Sequence, residues 1–138
     1  MTDPALTIEP TVTDDLRDWL TARLRYPVLA VITDQGSPSQ SVMWFALDPD
    51  EPDTILMNTK VGRAKERYLR RDPRVSLCFE EELHWVALRG RVDLDDDPER
   101  ALGDIRRLAE RYGDDPDDFN GQRRVTIRLR VEKVVHHD

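Results

Sequence analysis

The chain has 138 residues with a formal net charge of −7, and it contains 38% hydrophobic and 36% charged residues. This length fits a single domain over residues 1–138, and the composition excludes intrinsic disorder and argues against a general nucleic-acid binder. No segment reaches the ~20 apolar residues of a membrane helix and the start lacks a signal-peptide pattern, so we expect a cytoplasmic protein without a membrane partner.

The first part of the chain predicts a helix followed by a β-hairpin. Thr13 fits the N-cap of a helix with apolar residues at helical spacing, which ends before Pro27. Runs of strand-forming residues over 28–33 and 41–47 flank the turn sequence DQGSP, a pattern typical of a hairpin. After an acidic loop, residues 54–58 form the third predicted strand.

Residues 58–74 gather much of the positive charge of this acidic protein. The stretch contains seven lysines and arginines against two acids, a local charge of +5. A strand end, a glycine turn and a helix over 62–71 would place Arg63 and Lys65 at a helix N-terminus, which is a common phosphate-binding arrangement. The residues alone leave a solvated helix face as the alternative. Because cations at a helix start oppose the helix dipole, an anionic ligand explains these two better.

The second part of the chain predicts two strands, a helix and a last strand. The fourth predicted strand contains the single cysteine, Cys78, which excludes an internal disulfide, favours a reducing compartment and is expected to be buried. A long strand follows over 84–94, with Gly90 at a bend or a close backbone approach. A helix spans 97–113, and residues 124–135 alternate as a strand. Six strands with peripheral helices predict an α+β domain built on an antiparallel barrel.

Familiar catalytic motifs are missing from the sequence. There is no HExxH, CxxC, GxSxG, Walker or GxGxxG pattern, so no metal site is expected and the catalytic residues stay unassigned. Tyr26, His84 and Tyr112 are the candidate proton donors, but a structural role is favoured for each.

Several segments together resemble a known family. The segments VLAVIT, MWFALD, GRAKERYLRRDPRVSL and WVALRGRVDL are similar to the pyridoxamine 5'-phosphate oxidase-like split-barrel proteins, in the branch that uses the deazaflavin coenzyme F-420. The resemblance covers nearly the whole chain, and its strand-turn-helix segment is the most specific part. It implies an FMN-binding split barrel of six mainly antiparallel strands, Greek-key-like in order, with peripheral helices.

The resemblance also implies where a cofactor would bind. Arg63 and Lys65 would hold its phosphate, helped by Asn58, Thr59 and Lys60. The residues along its tricyclic ring would be Ser41, Val42, Met43 and Trp44. In a homodimer with active sites at the interface, Trp85 and Arg89 would complete the partner's site.

The function implied is an oxidoreductase that transfers a hydride from reduced coenzyme F-420 to a small organic substrate. Since the cofactor carries the reactive atom, the missing catalytic motifs are then expected. An FMN-dependent oxidase or reductase and a deazaflavin-binding protein without turnover are alternatives. A nucleic-acid binder is disfavoured because Tyr68 is the only aromatic residue within 60–74. Deazaflavin is preferred because Lys60, Arg67, Arg70 and Arg71 would hold its polyglutamate tail.

Overall fold

The computed structural model describes residues 6–137, which form one antiparallel sheet with helices packed around it. The α+β class is confirmed. The described strands are β1 (Leu6–Glu9), β2 (Val28–Ile32), β3 (Pro38–Val42), β4 (Ala46–Leu47), β5 (Thr54–Lys60), β6 (Arg74–Glu81), β7 (His84–Asp95) and β8 (Arg124–His137). The helices are α1 (Asp14–Thr21), α2 (Ala64–Arg71) and α3 (Pro98–Arg111), with a 3-10 helix at Pro116–Phe119. Within residues 6–137, every helix is too short or too polar to cross a membrane.

The order of the strands makes the sheet curl on itself. Hydrogen-bonded neighbours run β3-β2-β6-β7-β8-β5-β4, all antiparallel, and β1 pairs with the end of β8. The two end strands, β3 and β4, are consecutive in the chain, with only residues 43–45 between them. Because this connection spans at most about 14 Å, the two edges of the sheet lie close together. The result is an open barrel that is split at residues 43–45, as the resemblance implied.

The predicted strand over 41–47 is in fact two strands. Val42 pairs with β2, whereas Ala46 and Leu47 pair with β5 on the other side of the split. Between them, the Met43 amide donates to the Pro27 carbonyl and the Phe45 amide donates to the Tyr112 hydroxyl. The chain therefore crosses from one edge to the other. Together with β1, which the sequence analysis missed, this crossing raises the strand count from six to eight.

The interior of the barrel is an apolar core, and Cys78 lies outside it. Val75, Leu77 and Phe79 are buried on the inner face of β6, so the alternation of a strand places Cys78 on the outer face, where it is exposed. The expectation that Cys78 is buried is therefore wrong. Partial burial and the neighbouring Glu80 raise the pKa of its thiol, which disfavours the reactive thiolate.

Gly90 and the start of α3 agree with the sequence prediction. The register between β7 and β8 shifts between Arg89 and Gly90, and a Cβ at Gly90 would lie 2.0 Å from the carbonyl oxygen of Arg130. Asp97 caps α3 by accepting hydrogen bonds from two first-turn amides, and Pro98 follows. Helix α3 then packs over β8 and β5, next to the split of the barrel.

Candidate cofactor site

A cavity of about 220 Å³ opens at the split of the barrel, between the β3–β4 connection, the start of α2 and the side of α3. We call it the cation pocket, because its walls contain three cations and no described carboxylate. Its lining residues are Val42, Met43, Trp44, Asn58, Arg63, Lys65, Ile105, Leu108, Phe119 and Arg124. Six of the predicted site residues are therefore brought together here, from Val42, Met43 and Trp44 to Asn58, Arg63 and Lys65.

The start of α2 is unusual among the helices of this fold. Thr13, Asp97 and Asp115 cap the other helices with a side chain that accepts hydrogen bonds from first-turn amides. At α2 the N-cap is Arg63, which makes no such bond, and Gly62 just before it has a positive φ of 95°. An arginine has no acceptor to offer, so this helix start remains open to an acceptor from elsewhere.

Lys65 is half-buried in the pocket without an oxygen acceptor among the described residues. Its Nζ lies 3.0 Å from the Sδ of Met43, which is only a weak acceptor. Burial, followed by the nearby charges of Arg63 and Arg124, lowers the pKa of the Lys65 ammonium. An anion in the pocket would reverse this effect by stabilising the charged form.

Arg124 is a member of the pocket that the sequence analysis missed. It is 7% exposed, its Nε donates to Asn58 Oδ1 at 2.9 Å and its Nη1 donates to Gln122 Oε1 at 3.0 Å. Burial and the charge of Arg63 lower the pKa of Arg124 to about 10. Its position opposite Lys60 in the β5–β8 ladder depends on strand register, which the sequence pattern does not give.

Asn58 lies in the pocket wall, but its polar atoms are used inside the protein. Its Nδ2 donates to the Ala101 carbonyl at 2.9 Å and to Thr126 Oγ1 at 3.5 Å, and its Oδ1 accepts from Arg124. The side chain is 6% exposed. The Asn58 amide is therefore already hydrogen-bonded within the protein, and its predicted phosphate contact stays a prediction.

Ser41, Thr59 and Lys60 do not line the pocket. Thr59 is 1% exposed and lies on the opposite face of β5 from Asn58, and its Oγ1 has no hydrogen-bond partner within the described chain. This orientation disagrees with the predicted phosphate contact of Thr59. Lys60 is exposed at the end of β5, and the Ser41 hydroxyl lies 3.7 Å from Met43 Sδ beside the pocket.

The arginines in the rest of α2 already have partners. Arg70 pairs with Glu66 at 2.9 Å and with Asp96, Arg67 pairs with Asp34 at 3.6 Å, and Arg71 donates to the Thr33 carbonyl at 3.0 Å. Arg67 and Arg70 are therefore paired with acids, whereas Arg71 bonds only a neutral carbonyl, and the role of these arginines in holding a polyglutamate tail stays a prediction. Of the four cations proposed for the tail, Lys60 and Arg71 have no carboxylate within ion-pair distance among residues 6–137.

An aromatic wall closes one side of the pocket. The Trp44 ring stacks on Tyr112 at 5.3 Å and meets the edge of Phe119 at 6.2 Å. The Tyr112 hydroxyl donates to the Arg25 carbonyl at 2.6 Å, and burial raises its pKa. Tyr112 therefore supports Trp44 structurally, as the sequence analysis favoured, and Trp44 offers a fixed apolar surface to a flat ligand.

Trp85 and Arg89 lie elsewhere, on the outer face of the sheet. They share this face with a row of cross-strand neighbours that runs across six strands. The row consists of Val42, Val28, Cys78, Ala87, Val135 and Ile8. Val42 and Ile8, at its two ends, are 64% and 54% exposed, and Val42 also lines the cation pocket. The outer face and the pocket are therefore contiguous at Val42.

A second cavity, of about 320 Å³, lies on the other side of the fold between α1, β1 and β7. Its walls include the carboxylates of Glu9 and Asp15 and the imidazoles of His84 and His136. No group of three potential metal-binding side chains occurs in the described chain. This cavity is larger than the cation pocket, but its mixed charge does not match an anionic ligand.

Comparisons with known proteins agree with this fold. Residues 12–138 match the profile of the family described as pyridoxamine 5'-phosphate oxidase. A conserved hypothetical protein of Mycobacterium tuberculosis has 25% identity and a TM-score of 0.76, covering 94% of this chain and 86% of its own. An F-420 reductase has 25% identity and a TM-score of 0.72, with coverage of 85% and 94%. General stress protein 26 of Bacillus anthracis, at 16% identity, TM-score 0.66 and coverage of 89% and 94%, shares the fold. Curated proteins give no match.

Proposed function

The chain belongs to the pyridoxamine 5'-phosphate oxidase family, and from this premise we propose that it is an oxidoreductase that uses reduced coenzyme F-420 to reduce a small organic substrate. The observation that carries the proposal is the cation pocket, where Arg63 and Lys65 lie beside the flat surface of Trp44 and have no acidic partner within residues 6–137. A phosphate attached to a planar ring system matches both features.

The residues present fit such a cofactor. Arg63 and Lys65 would bind its phosphate, and Val42, Met43 and Trp44 would line its ring. The bound deazaflavin supplies the hydride, and the protein supplies binding, orientation and the exclusion of water. The buried apolar side chains of Ile105 and Leu108 limit water on the α3 side of the pocket. No side chain of the pocket is assigned as a proton donor.

FMN is the alternative cofactor, because it also joins a phosphate to a tricyclic ring. The argument from the α2 cations for the deazaflavin is weaker at Arg67 and Arg70, which are paired with acids, than at Arg71, which bonds only the Thr33 carbonyl. The preference for F-420 then rests on the resemblance of the sequence and on the similar structure of an F-420 reductase. A protein that binds the deazaflavin without turning it over would have the same pocket.

A homodimer is the proposed assembly, formed through the outer face of the sheet. The row ends in two exposed apolar side chains, Val42 and Ile8, which an interface would cover. Trp85 and Arg89 lie on the same face, where they would reach the partner's site. Sedimentation at micromolar concentration should show a dimer, and a monomer with and without cofactor would contradict shared sites. The cytoplasmic location and the absence of a nucleic-acid partner stay predictions from composition.

Native mass spectrometry of the protein purified from a deazaflavin-producing host tests the proposed cofactor. We expect a bound mass that equals coenzyme F-420, with its series of tail lengths, at one per protomer. A bound mass of FMN would replace the proposal with the alternative. Spectroscopic loss of reduced F-420 in the presence of activated alkenes or other small acceptors would separate an oxidoreductase from a binding protein.

A further inference from the structure

Arg124 is a buried cation whose two hydrogen-bond partners are both neutral amides. Its Nε donates to Asn58 Oδ1 and its Nη1 donates to Gln122 Oε1, and the side chain is 7% exposed. No described carboxylate lies within ion-pair distance of it, and the charge that acts on it is that of Arg63. Buried arginines are normally paired with an acid, so Arg124 needs an explanation.

Other arginines of the fold show what a structural pairing looks like here. Arg25, which is 5% exposed, lies 3.5 Å from the carboxylate of Glu81. Arg128, on the same strand as Arg124, pairs with Asp48 at 2.7 Å. The fold therefore supplies a carboxylate to these two and an amide to Arg124, which keeps its positive charge uncompensated.

The remaining donors of Arg124 border the cation pocket. A guanidinium has five N–H groups, and two of them are used by Asn58 and Gln122, which leaves three for another acceptor. The orientation is fixed, because Asn58 is itself anchored to the Ala101 carbonyl in α3 and the Phe119 ring lies 5.4 Å from the guanidinium carbon. A fixed, charged fork is well suited to phosphoryl oxygens.

We propose that Arg124 is a third ligand of the phosphoryl group held by Arg63 and Lys65. Asn58 and Gln122 are its positioning residues, which orient the guanidinium and leave its charge to the ligand. The identity of the molecule that carries the phosphoryl group, F-420 or FMN, rests on the proposed function, and the rest of the inference does not. The chemistry that is recognised is common to both.

The choice of amides suggests a test with one isosteric change. In Gln122→Glu, a carboxylate oxygen can still accept the hydrogen bond from Nη1 of Arg124. The substitution adds a negative charge, which neutralises the guanidinium. Because Gln122 is only partly buried, we expect the variant to fold as well as the wild type. If Arg124 only holds the strands and α3 together, this change leaves binding intact. If Arg124 binds the phosphoryl group, affinity falls.

The experiment compares wild type, Gln122→Glu and the control Gln35→Glu, the same substitution in the exposed turn between β2 and β3. Dissociation constants are measured for F-420, for FMN, and for riboflavin and the ribitol deazaflavin, which lack the phosphate. For the phosphorylated cofactor that wild type binds, we expect Gln122→Glu to lower the affinity by at least about fivefold. The affinity of the variant should also depend less steeply on salt concentration. The phosphate-free ligands and the control should change less than about twofold.

Unchanged affinity for the phosphorylated cofactor in Gln122→Glu would overturn the inference. Equal weakening of riboflavin or the ribitol deazaflavin would also overturn it, because the effect would not belong to the phosphoryl group. If wild type binds neither cofactor, the proposed function fails and inorganic phosphate becomes the probe. Thermal stabilisation by phosphate that is present in wild type and reduced in Gln122→Glu then supports the inference, and any other result contradicts it.

Discussion

The two ends of α2 carry charge of the same sign in opposite surroundings. At the first turn, Arg63 and Lys65 border a pocket whose described lining has no acid, and Lys65 has a lowered pKa. At the last turn, Arg70 pairs with Glu66 and Asp96, which raises the pKa of its guanidinium. The density of charge along a helix therefore does not identify a binding site. What marks the first turn as a candidate site is a cavity whose lining, among the described residues, contains cations and no acid.

Helix electrostatics and tertiary structure both contribute to this difference. Cations near the C-terminal end of a helix are favoured by its dipole, and cations near the N-terminal end are opposed by it. The acids that pair with the later arginines come from distant parts of the chain, Asp34 from the β2–β3 turn and Asp96 from the loop after β7. The first turn contains one acid, Glu66, whose carboxylate accepts from the Gly62 amide and from Arg70. Among the described residues, no carboxylate lies within ion-pair distance of Arg63 or Lys65, so a bound anion would offset their charge.

The largest expected effect on cofactor affinity comes from removing two cations from one end of α2 and comparing this with their removal from the other end. Arg63→Ala combined with Lys65→Ala should weaken binding of the cofactor at least about tenfold, because two charge-assisted contacts to the phosphate are lost. The matched pair Arg70→Ala with Arg71→Ala removes the same number of cations from the same helix and should change affinity less than about twofold. Fluorescence titration of both double variants checks this, with circular dichroism as the control for folding. Equal losses in the two would erase the distinction between the ends.

A change of pH is expected to have an intermediate effect on cofactor affinity and on stability, and this effect differs between the two ends of α2. Since the pKa of Lys65 is lowered in the free protein and an anion favours its charged form, affinity should fall as pH rises from neutral towards the ordinary lysine value of 10.5. In the ligand-free protein the unfolded state holds this proton more tightly, so stability should increase with pH in that same window. Titration calorimetry and chemical denaturation across this range measure the two slopes. An affinity that does not depend on pH would show that Lys65 does not contact the anion.

The hydrogen bonds of Glu66, which connect the first turn of α2 to Arg70, respond at acid pH instead. The pKa of Glu66 is lowered by its hydrogen bonds from the Gly62 amide and Arg70, so its contribution is present above the ordinary value of 4.5 and is lost as pH falls through the lowered pKa. Alkaline pH should leave this contribution unchanged. Denaturation of Glu66→Gln against wild type should show the difference at neutral pH and its disappearance in acid. A difference that persists in acid would mean that charge is not its cause.

The smallest expected effect comes from Asp96→Asn, which removes one exposed partner of Arg70. Pairs of this kind contribute roughly 0.2 to 1 kcal/mol to the free energy of unfolding. Cofactor affinity should not change, because the freed arginine lies at the far end of the helix. Urea denaturation and cofactor titration measure the two quantities. Tighter binding in Asp96→Asn would instead show that Arg70 reaches the ligand once it is released from its acid.

Local sequence pattern predicts much of the fold. The caps at Thr13 and Asp97, the hairpin around Gly36 and the bulge at Gly90 follow from the chemistry of single residues, and each is present. The crossing at residues 43–45 was missed because a run of strand-forming residues looks the same whether it pairs with one neighbour or changes partners. Cys78 was misplaced because its apolar neighbours were considered without the alternation of the strand.

Local sequence pattern predicted only the first turn of α2 as a candidate site, with Arg63 and Lys65. The segment 42–44, which lines the same cavity, was expected from the family resemblance alone. Arg124 was missed because only the β5–β8 register brings it beside Asn58, and the pairing of the later arginines depends on acids that are far away in sequence. Thr59 was assigned to the pocket from its position in the chain, although the alternation of β5 turns it away. Long-range register and pairing are therefore what the sequence left open.

Chemical-shift mapping of the amide resonances during titration with F-420, repeated with FMN, tests the central claim most directly. We expect saturable changes that are largest at Ala64, Lys65 and Glu66 in the first turn of α2 and at Arg124, with little change from Arg67 to Arg71. Addition of salt should reduce the affinity and keep the same pattern of shifts. The largest changes at the last turn of α2, or saturation without any change at its first turn, would contradict the account.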